Sequence, residues 1–168
     1  MKHSIEELRT AFSYDPVTGI LTRIKWTKNA VLGPIEAGRH KTSYEGIPYI
    51  ITHLIWALYY GYWPDCLVDH RDGDKRNTKI KNLRQATHQQ NQFNKVGFGK
   101  YPKGVVFKAD ARRSKPWSAR IRINGRKIPI GSYATMEEAA EAYRQAAEKY
   151  QGEFALHKSM ELQNANIR

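Results

Sequence analysis

Val68–Asn94, VDHRDGDKRNTKIKNLRQATHQQNQFN, is the stretch whose reading decides the fold. Asp69 and His70 stand together after an aromatic-rich segment; Asn82 comes twelve residues after His70 and Asn91 nine further on. Gly73-Asp74 supplies the sharp turn that a hairpin needs. The polar run Thr87–Asn94 reads as a helix from which Asn91 projects. An acid beside a histidine, followed by two amides at set distances, is a set of parts for metal-assisted phosphodiester hydrolysis. Hard cations take oxygen ligands, which Asp69 and Asn91 offer. An imidazole that is neutral near pH 7 suits the base that takes a proton from water, and His70 is that imidazole.

These residues resemble the HNH endonuclease motif in its phage and intron-homing form, whose third position is Asn. The matching residues are Asp69-His70, Asn82 within KNLR (81–84) and Asn91 within QQNQ (89–92). The resemblance implies a ββα-metal fold, in which a short hairpin presents His70 and the following helix supplies the last ligand. By that likeness Asp69 and Asn91 hold one divalent ion, magnesium or manganese. His70 then acts as general base and Asn82 braces the loop that carries it. The basic residues Arg71, Lys75, Arg76, Lys79, Lys81 and Arg84 surround the motif and suit phosphate contact, which positions a duplex without reading its sequence. Arg84 is the residue read as holding the scissile phosphate.

The chain's 168 residues suit one domain or two small ones. Its 28 Lys and Arg against 16 acids give a net charge of +12, which points to a polyanionic partner. The single cysteine, Cys66, excludes an intramolecular disulfide and a paired-cysteine zinc clamp. It is expected in apolar surroundings without a chemical role. No apolar run approaches the roughly 18 residues that span a bilayer, so a cytoplasmic protein is the simplest reading.

Upstream of the motif, Ser4–Phe12 has helical spacing with Ser4 as N-cap and Glu7 three residues on, a capping-box pattern. Tyr14-Asp15-Pro16-Val17-Thr18-Gly19 reads as a turn and Ile20–Trp26 as a strand. Asn29–Gly46 reads as loop or short hairpin, Ile47–Ile51 as a strand and Thr52–Tyr62 as a short helix. Relatives of this nuclease type often carry His-Arg-Leu-x-Trp there. Aligned on Trp56, this chain has Thr52 and His53 in the first two positions, and His53 reads as a partly buried, hydrogen-bonded residue. Trp56, Tyr59, Tyr60 and Trp63 read as core and lid.

Downstream, Lys95–Pro102 reads as a linker and the pattern then changes. Strands are expected at Val105–Lys108, Trp117–Ile123 and Lys127–Tyr133, the last two joined by a type I′ turn at Asn124-Gly125. Thr135 and Glu138 predict a second capping box. Met136, Ala139, Ala140, Tyr143, Ala147 and Tyr150 form an apolar stripe along the helix that follows. If Ala119, Ile121 and Ile123 face that helix, Ser118, Arg120 and Arg122 face away. From Lys100 to Lys127 there are ten Lys or Arg against the single acid Asp110.

Gly104–Ala155 resembles the plant ethylene-response-factor (Apetala-two) DNA-binding domain. The resemblance rests on Gly104-Val105, Trp117–Arg122, Ile130–Tyr133, Glu137–Tyr143, Ala146-Ala147 and Tyr150–Gly152. It implies a three-stranded sheet entering the major groove, with Arg120, Arg122 and Lys127 as contacts. Val106 stands where the plant family usually has a base-contacting Arg, and Pro129 where it often has Trp, so the plant target sequence does not transfer. Lys103 and Lys108 flank that position and read as phosphate contacts.

The sequence thus predicts an α+β chain in which a ββα-metal nuclease domain precedes a small three-stranded antiparallel sheet packed on one helix. The expected limits are a nuclease domain over 1–95 (motif 68–94), a linker over 96–103, a DNA-binding domain over 104–155 and a polar tail over 156–168. The function expected is a homing-type DNA endonuclease that binds double-stranded DNA as a monomer and nicks one strand. The alternative is a non-catalytic, sequence-specific DNA-binding protein whose nuclease half has decayed. An RNA-binding role fits less well, because the open sheet face carries no aromatic ladder.

Overall fold

The computed structural model describes residues 3–25, 33–95, 100–109 and 114–155. Trp26, the first part of the 29–46 loop, the centre of the 95–102 linker, Asp110 and the 156–168 tail lie outside the described residues. Two compact units divide the chain, Met1–His88 and Gln89–Arg168.

In the first unit, Ser4 caps helix α1 (Ile5–Ala11). The Ser4 hydroxyl accepts from the Glu7 amide at 3.1 Å, and the Glu7 carboxylate accepts from the Ser4 amide at 2.7 Å. Both bonds satisfy amides that the first helical turn leaves unpaired. The chain runs on into β1 (Phe12–Tyr14), which pairs antiparallel with β2 (Leu21–Arg23). β3 (Gly33–Pro34) lies on the other edge of β2. The predicted strand from Ile20 is shorter than expected because its partner runs out: the Ile24 and Lys25 amides both bond the Ala11 carbonyl, at the end of α1.

Strands β4 (Lys41–Tyr44) and β5 (Ile47–Ile50) form a hairpin. Its turn residues, Glu45 and Gly46, both have positive φ, the geometry that matches strand twist in a two-residue loop. Helix α2 (Ile51–Tyr60) follows directly and ends at Gly61, whose left-handed conformation lets its amide bond the Ala57 carbonyl. Six of the ten α2 residues are buried, so the helix is the spine of this unit. Leu8, Phe12 and Leu21 from the N-terminal elements pack with Leu54, Ile55 and Leu58 of α2 in one core. Ile80 and Leu83 from the motif close it. Strands β6 (Leu67–His70) and β7 (Leu83–Ala86) pair antiparallel, with Asp69 opposite Arg84 and His70 opposite Leu83. A single 3-10 turn, Ile80–Asn82, leads into β7; α3 (His88–Phe93) comes next in the chain, and its residues from Gln89 onward belong to the second unit.

In the second unit, β8 (Val105–Phe107), β9 (Trp117–Ile123) and β10 (Arg126–Tyr133) form an antiparallel sheet with β9 central. Asn124 and Gly125 turn the chain with positive φ at both positions. Helix α4 (Met136–Gln151) buries Ala139 and Ala147 against Val105, Ala119 and Ile121. The register shifts between Pro129 and Gly131, which brings Ile130 to the helix-facing side. Gly104 (φ +79) admits Tyr143 of α4: a Cβ there would sit 2.1 Å from the tyrosine ring. Two details depart from the sequence reading. The Thr135 hydroxyl accepts from the Glu138 amide, but the Glu138 carboxylate bonds the Ala134 amide, one residue short of a reciprocal capping box. Tyr150 ends the predicted stripe but is 50% exposed, while Gln151 beside it is buried.

Among the described residues no helix is long and apolar enough to cross a membrane.

Candidate active site

His70 is the last residue of β6, so its backbone is fixed by the β6–β7 ladder while the chain beyond it is loop. Burial pushes the imidazole below its ordinary pKa, and the carboxylates of Asp69, Asp72 and Asp74 pull it the other way less strongly. A half-buried imidazole held neutral near pH 7 can take a proton.

The loop after His70 is cross-braced by side chains. The Asn82 amide oxygen accepts from the Asp72 amide at 3.1 Å. Its NH2 group donates to the Asp72 carboxylate at 2.9 Å and to the Asn77 carbonyl at 2.7 Å. The Asn82 carbonyl accepts from the Arg71 amide at 2.8 Å, and the Gly73 amide returns to the His70 carbonyl at 3.0 Å. Asp72 is the centre of this network and was missed from sequence. It is 2% exposed, and its carboxylate also accepts from the Asp74 amide at 2.8 Å and the Asn77 side chain at 2.6 Å. The signal available was local: an Asp directly before Gly73, with an amide residue five positions on. Asx residues in that setting bond their own loop.

Asp69 is buried and faces Arg84 across the two strands. Nε and Nη2 of Arg84 both donate to Asp69 Oδ2, at 3.1 and 3.0 Å. The two side chains are 8% and 5% exposed. The guanidinium read from sequence as a phosphate contact is therefore directed inward onto the carboxylate. Lys75, Arg76, Lys79 and Lys81 are the exposed cations of the loop.

Asn91 is half-buried on α3, and Asn94 beyond it is buried. Lys103 is half-buried rather than fully exposed. Its ammonium donates to the carbonyls of Gln92 (3.0 Å), Phe93 (2.8 Å) and Lys95 (2.6 Å), capping the C-terminal end of α3. Burial pushes its pKa down to about 8. Lys108, Arg120, Arg122 and Lys127 are exposed. Lys127 lies opposite Arg122, and Pro129 opposite Arg120, on β9 and β10. Their strand positions alternate with Ala119 and Ile121, both 1% exposed beneath α4, so the cations occupy the open face.

Around the site, His53 is half-buried and Trp56 buried, while Tyr59 and Tyr60 are partly exposed rather than core. Trp63 stacks on Tyr49, ring centroids 5.8 Å apart. The Cys66 thiol meets a polar neighbour, the Gln85 side-chain oxygen at 3.7 Å, rather than the apolar surroundings expected.

No three of His, Cys, Asp and Glu gather as a metal cluster among the described residues. The donors named from sequence are instead one carboxylate and one amide. Such oxygen donors suit a hard divalent cation and leave most of its roughly six positions to water and phosphate.

Comparison with known proteins bears on the same residues. Residues 49–93 match the family model described as HNH endonuclease, a span that runs from β5 through α3 and contains His70 and Asn82. A 91-residue stretch is 40% identical to an uncharacterized HNH endonuclease of Acanthamoeba polyphaga mimivirus, covering 54% of this chain and 46% of that protein. The chain thus spans about half the length of the curated relative it matches. No solved structure matches.

Proposed function

We propose that this chain is a DNA endonuclease of the HNH homing type, hydrolysing one phosphodiester bond of duplex DNA with a divalent ion and His70 as general base. The observation that carries the reading is His70 itself: an imidazole kept neutral by burial, at the end of a paired strand, beside a cross-braced loop, within the stretch that matches the HNH endonuclease model. Asp69 and Asn91 are the residues proposed to hold the ion, magnesium or manganese. When bound, it would supply polarisation of the phosphate and charge stabilisation of the leaving oxygen. His70 removes the proton from the attacking water. Asn82 fixes the loop through the amides of Arg71 and Asp72, so the backbone leaving His70 is set before substrate binds. Lys75, Arg76, Lys79 and Lys81 attract the backbone without reading bases. Arg120, Arg122 and Lys127 on the open sheet face, with Lys108 at its edge, are proposed to dock a groove of the duplex and so aim the cut.

A magnesium-dependent nicking assay on supercoiled plasmid tests this. General-base catalysis is typically worth about 10²–10⁴-fold, so His70→Ala should lose nicking by that order while still binding duplex DNA. Absence of cleavage by the parent protein with magnesium or manganese would overturn the proposal. So would a His70→Ala protein that cuts at the parent rate.

One observation favours a second reading, a DNA-binding protein without catalysis. Arg84 already neutralises Asp69, which weakens that carboxylate's attraction for a metal. Duplex binding with no metal-dependent nicking would select it.

A further inference from the structure

The geometry points to the turn Tyr14–Gly19, which lies outside the matched stretch 49–93, as a positioning element that holds the loop carrying the His70 brace. The inference rests on the reading of His70 as the base.

The turn is rigid in its own right. The Asp15 carboxylate accepts from the Val17 amide at 2.9 Å and the Thr18 hydroxyl at 2.7 Å. The Asp15 backbone closes the turn, its carbonyl bonding the Gly19 amide at 2.8 Å and its amide the Ile20 carbonyl at 3.0 Å. This preformed unit grips residues 78–80 from two sides. The Tyr14 hydroxyl donates to the Thr78 carbonyl at 2.7 Å, and the Thr78 hydroxyl donates back to the Gly19 carbonyl at 2.7 Å. The Ile80 amide lies 3.4 Å from the Pro16 carbonyl. Gly19 permits the approach: a Cβ there would stand 2.7 Å from the Lys79 nitrogen, and its φ of +80° disfavours any side chain.

The gripped residues sit between Asn77 and Asn82, two members of the network around Asp72. Asn82 in turn bonds the amides of Arg71 and Asp72, the two residues directly after His70. The clasp therefore acts at one end of a chain of hydrogen bonds whose other end sets the exit of the backbone from His70. Catalysis is sensitive to such placement, since a shift of about 1 Å from a distant change can cost roughly 10²-fold.

Full-length Thr78→Val, Thr78→Ser and Tyr14→Phe proteins separate positioning from plain stability. Thr78→Val should lower the single-turnover cleavage rate by at least about tenfold with duplex affinity within about twofold. Thr78→Ser, which keeps the hydroxyl, should restore the rate, and Tyr14→Phe should fall between. Amide exchange gives a readout that does not need cleavage: Arg71 and Asp72 amides should exchange faster in Thr78→Val, with the β4–β5 hairpin unchanged. Parent-like rates and exchange in Thr78→Val would overturn the inference. Loss of rate shared equally by Thr78→Ser, or faster exchange throughout the unit, would also do so. If the parent protein does not cut, the endonuclease reading fails, and the exchange at Arg71 and Asp72 still decides whether the clasp exists.

Discussion

At the scale of single residues, the cross-strand pair of Asp69 and Arg84 is a buried ion pair in which loss of either partner is costly. Both are buried, and two hydrogen bonds converge on one carboxylate oxygen. Removing one partner of a buried pair leaves an uncompensated charge and costs about 3–5 kcal/mol. Arg84→Ala should therefore lower unfolding free energy by that amount in urea titrations, whether or not DNA is bound. Asp69→Ala and Asp69→Asn both leave the Arg84 guanidinium without its counter-charge, so either variant tests the proposed metal ligand only when folding and duplex binding are measured beside cleavage. The sequence shows the types of these residues but not their directions. Arg84 and Lys103 read as outward because such side chains are mostly exposed. Only the strand register that sets Arg84 opposite Asp69, and the end of α3 beside Lys103, turn them inward. Asp72 was invisible for the same reason, because its partners Asn77 and Asn82 are brought to it by a loop whose path the composition does not specify.

Elements were more legible where local chemistry decides them. Ser4 with Glu7, and Asn124 with Gly125, each act within a few residues, and helix α1 and the β9–β10 turn stand where the pattern places them. The shortened β2 depends on a partner elsewhere, and the Glu45-Gly46 hairpin, though local, turns on a positive φ at a glutamate that the pattern does not signal. Helix α3, only six residues long, lacks the length to be stable alone. Its C-terminal carbonyls are closed by Lys103, which yields a pH test. The lysine's folded pKa of about 8 lies below the ordinary 10.5. Between those values the unfolded chain binds more protons than the folded one, so stability rises with pH across that window and is flat in this respect below it. The stability margin of the parent protein over Lys103→Met should widen from about pH 8 to about pH 10, followed by urea unfolding at each pH. A margin that narrows would show that the ammonium is not buried as described.

For the whole molecule, the net charge of +12 and the two compact units bear on how the proposed DNA substrate would be met. Two modules on one chain raise each other's effective concentration on a single duplex. Charge alone gives binding that is strong at low salt and indifferent to sequence. The exposed cations of the sheet should be separable from that background: Arg120→Ala and Arg122→Ala should each weaken duplex binding and reduce the salt slope by about 1 if they meet phosphate. If they read bases, the loss should instead be confined to the preferred site, and competition titrations against unrelated duplexes will distinguish the two. The ammonium of Lys103 also limits how the chain can be recombined. A graft that exchanges the sheet module at residue 95 would separate α3 from the side chain that closes it, leaving three carbonyls to water. A chimera has to be joined before His88, or must bring its own lysine, if the helix bearing Asn91 is to keep its shape.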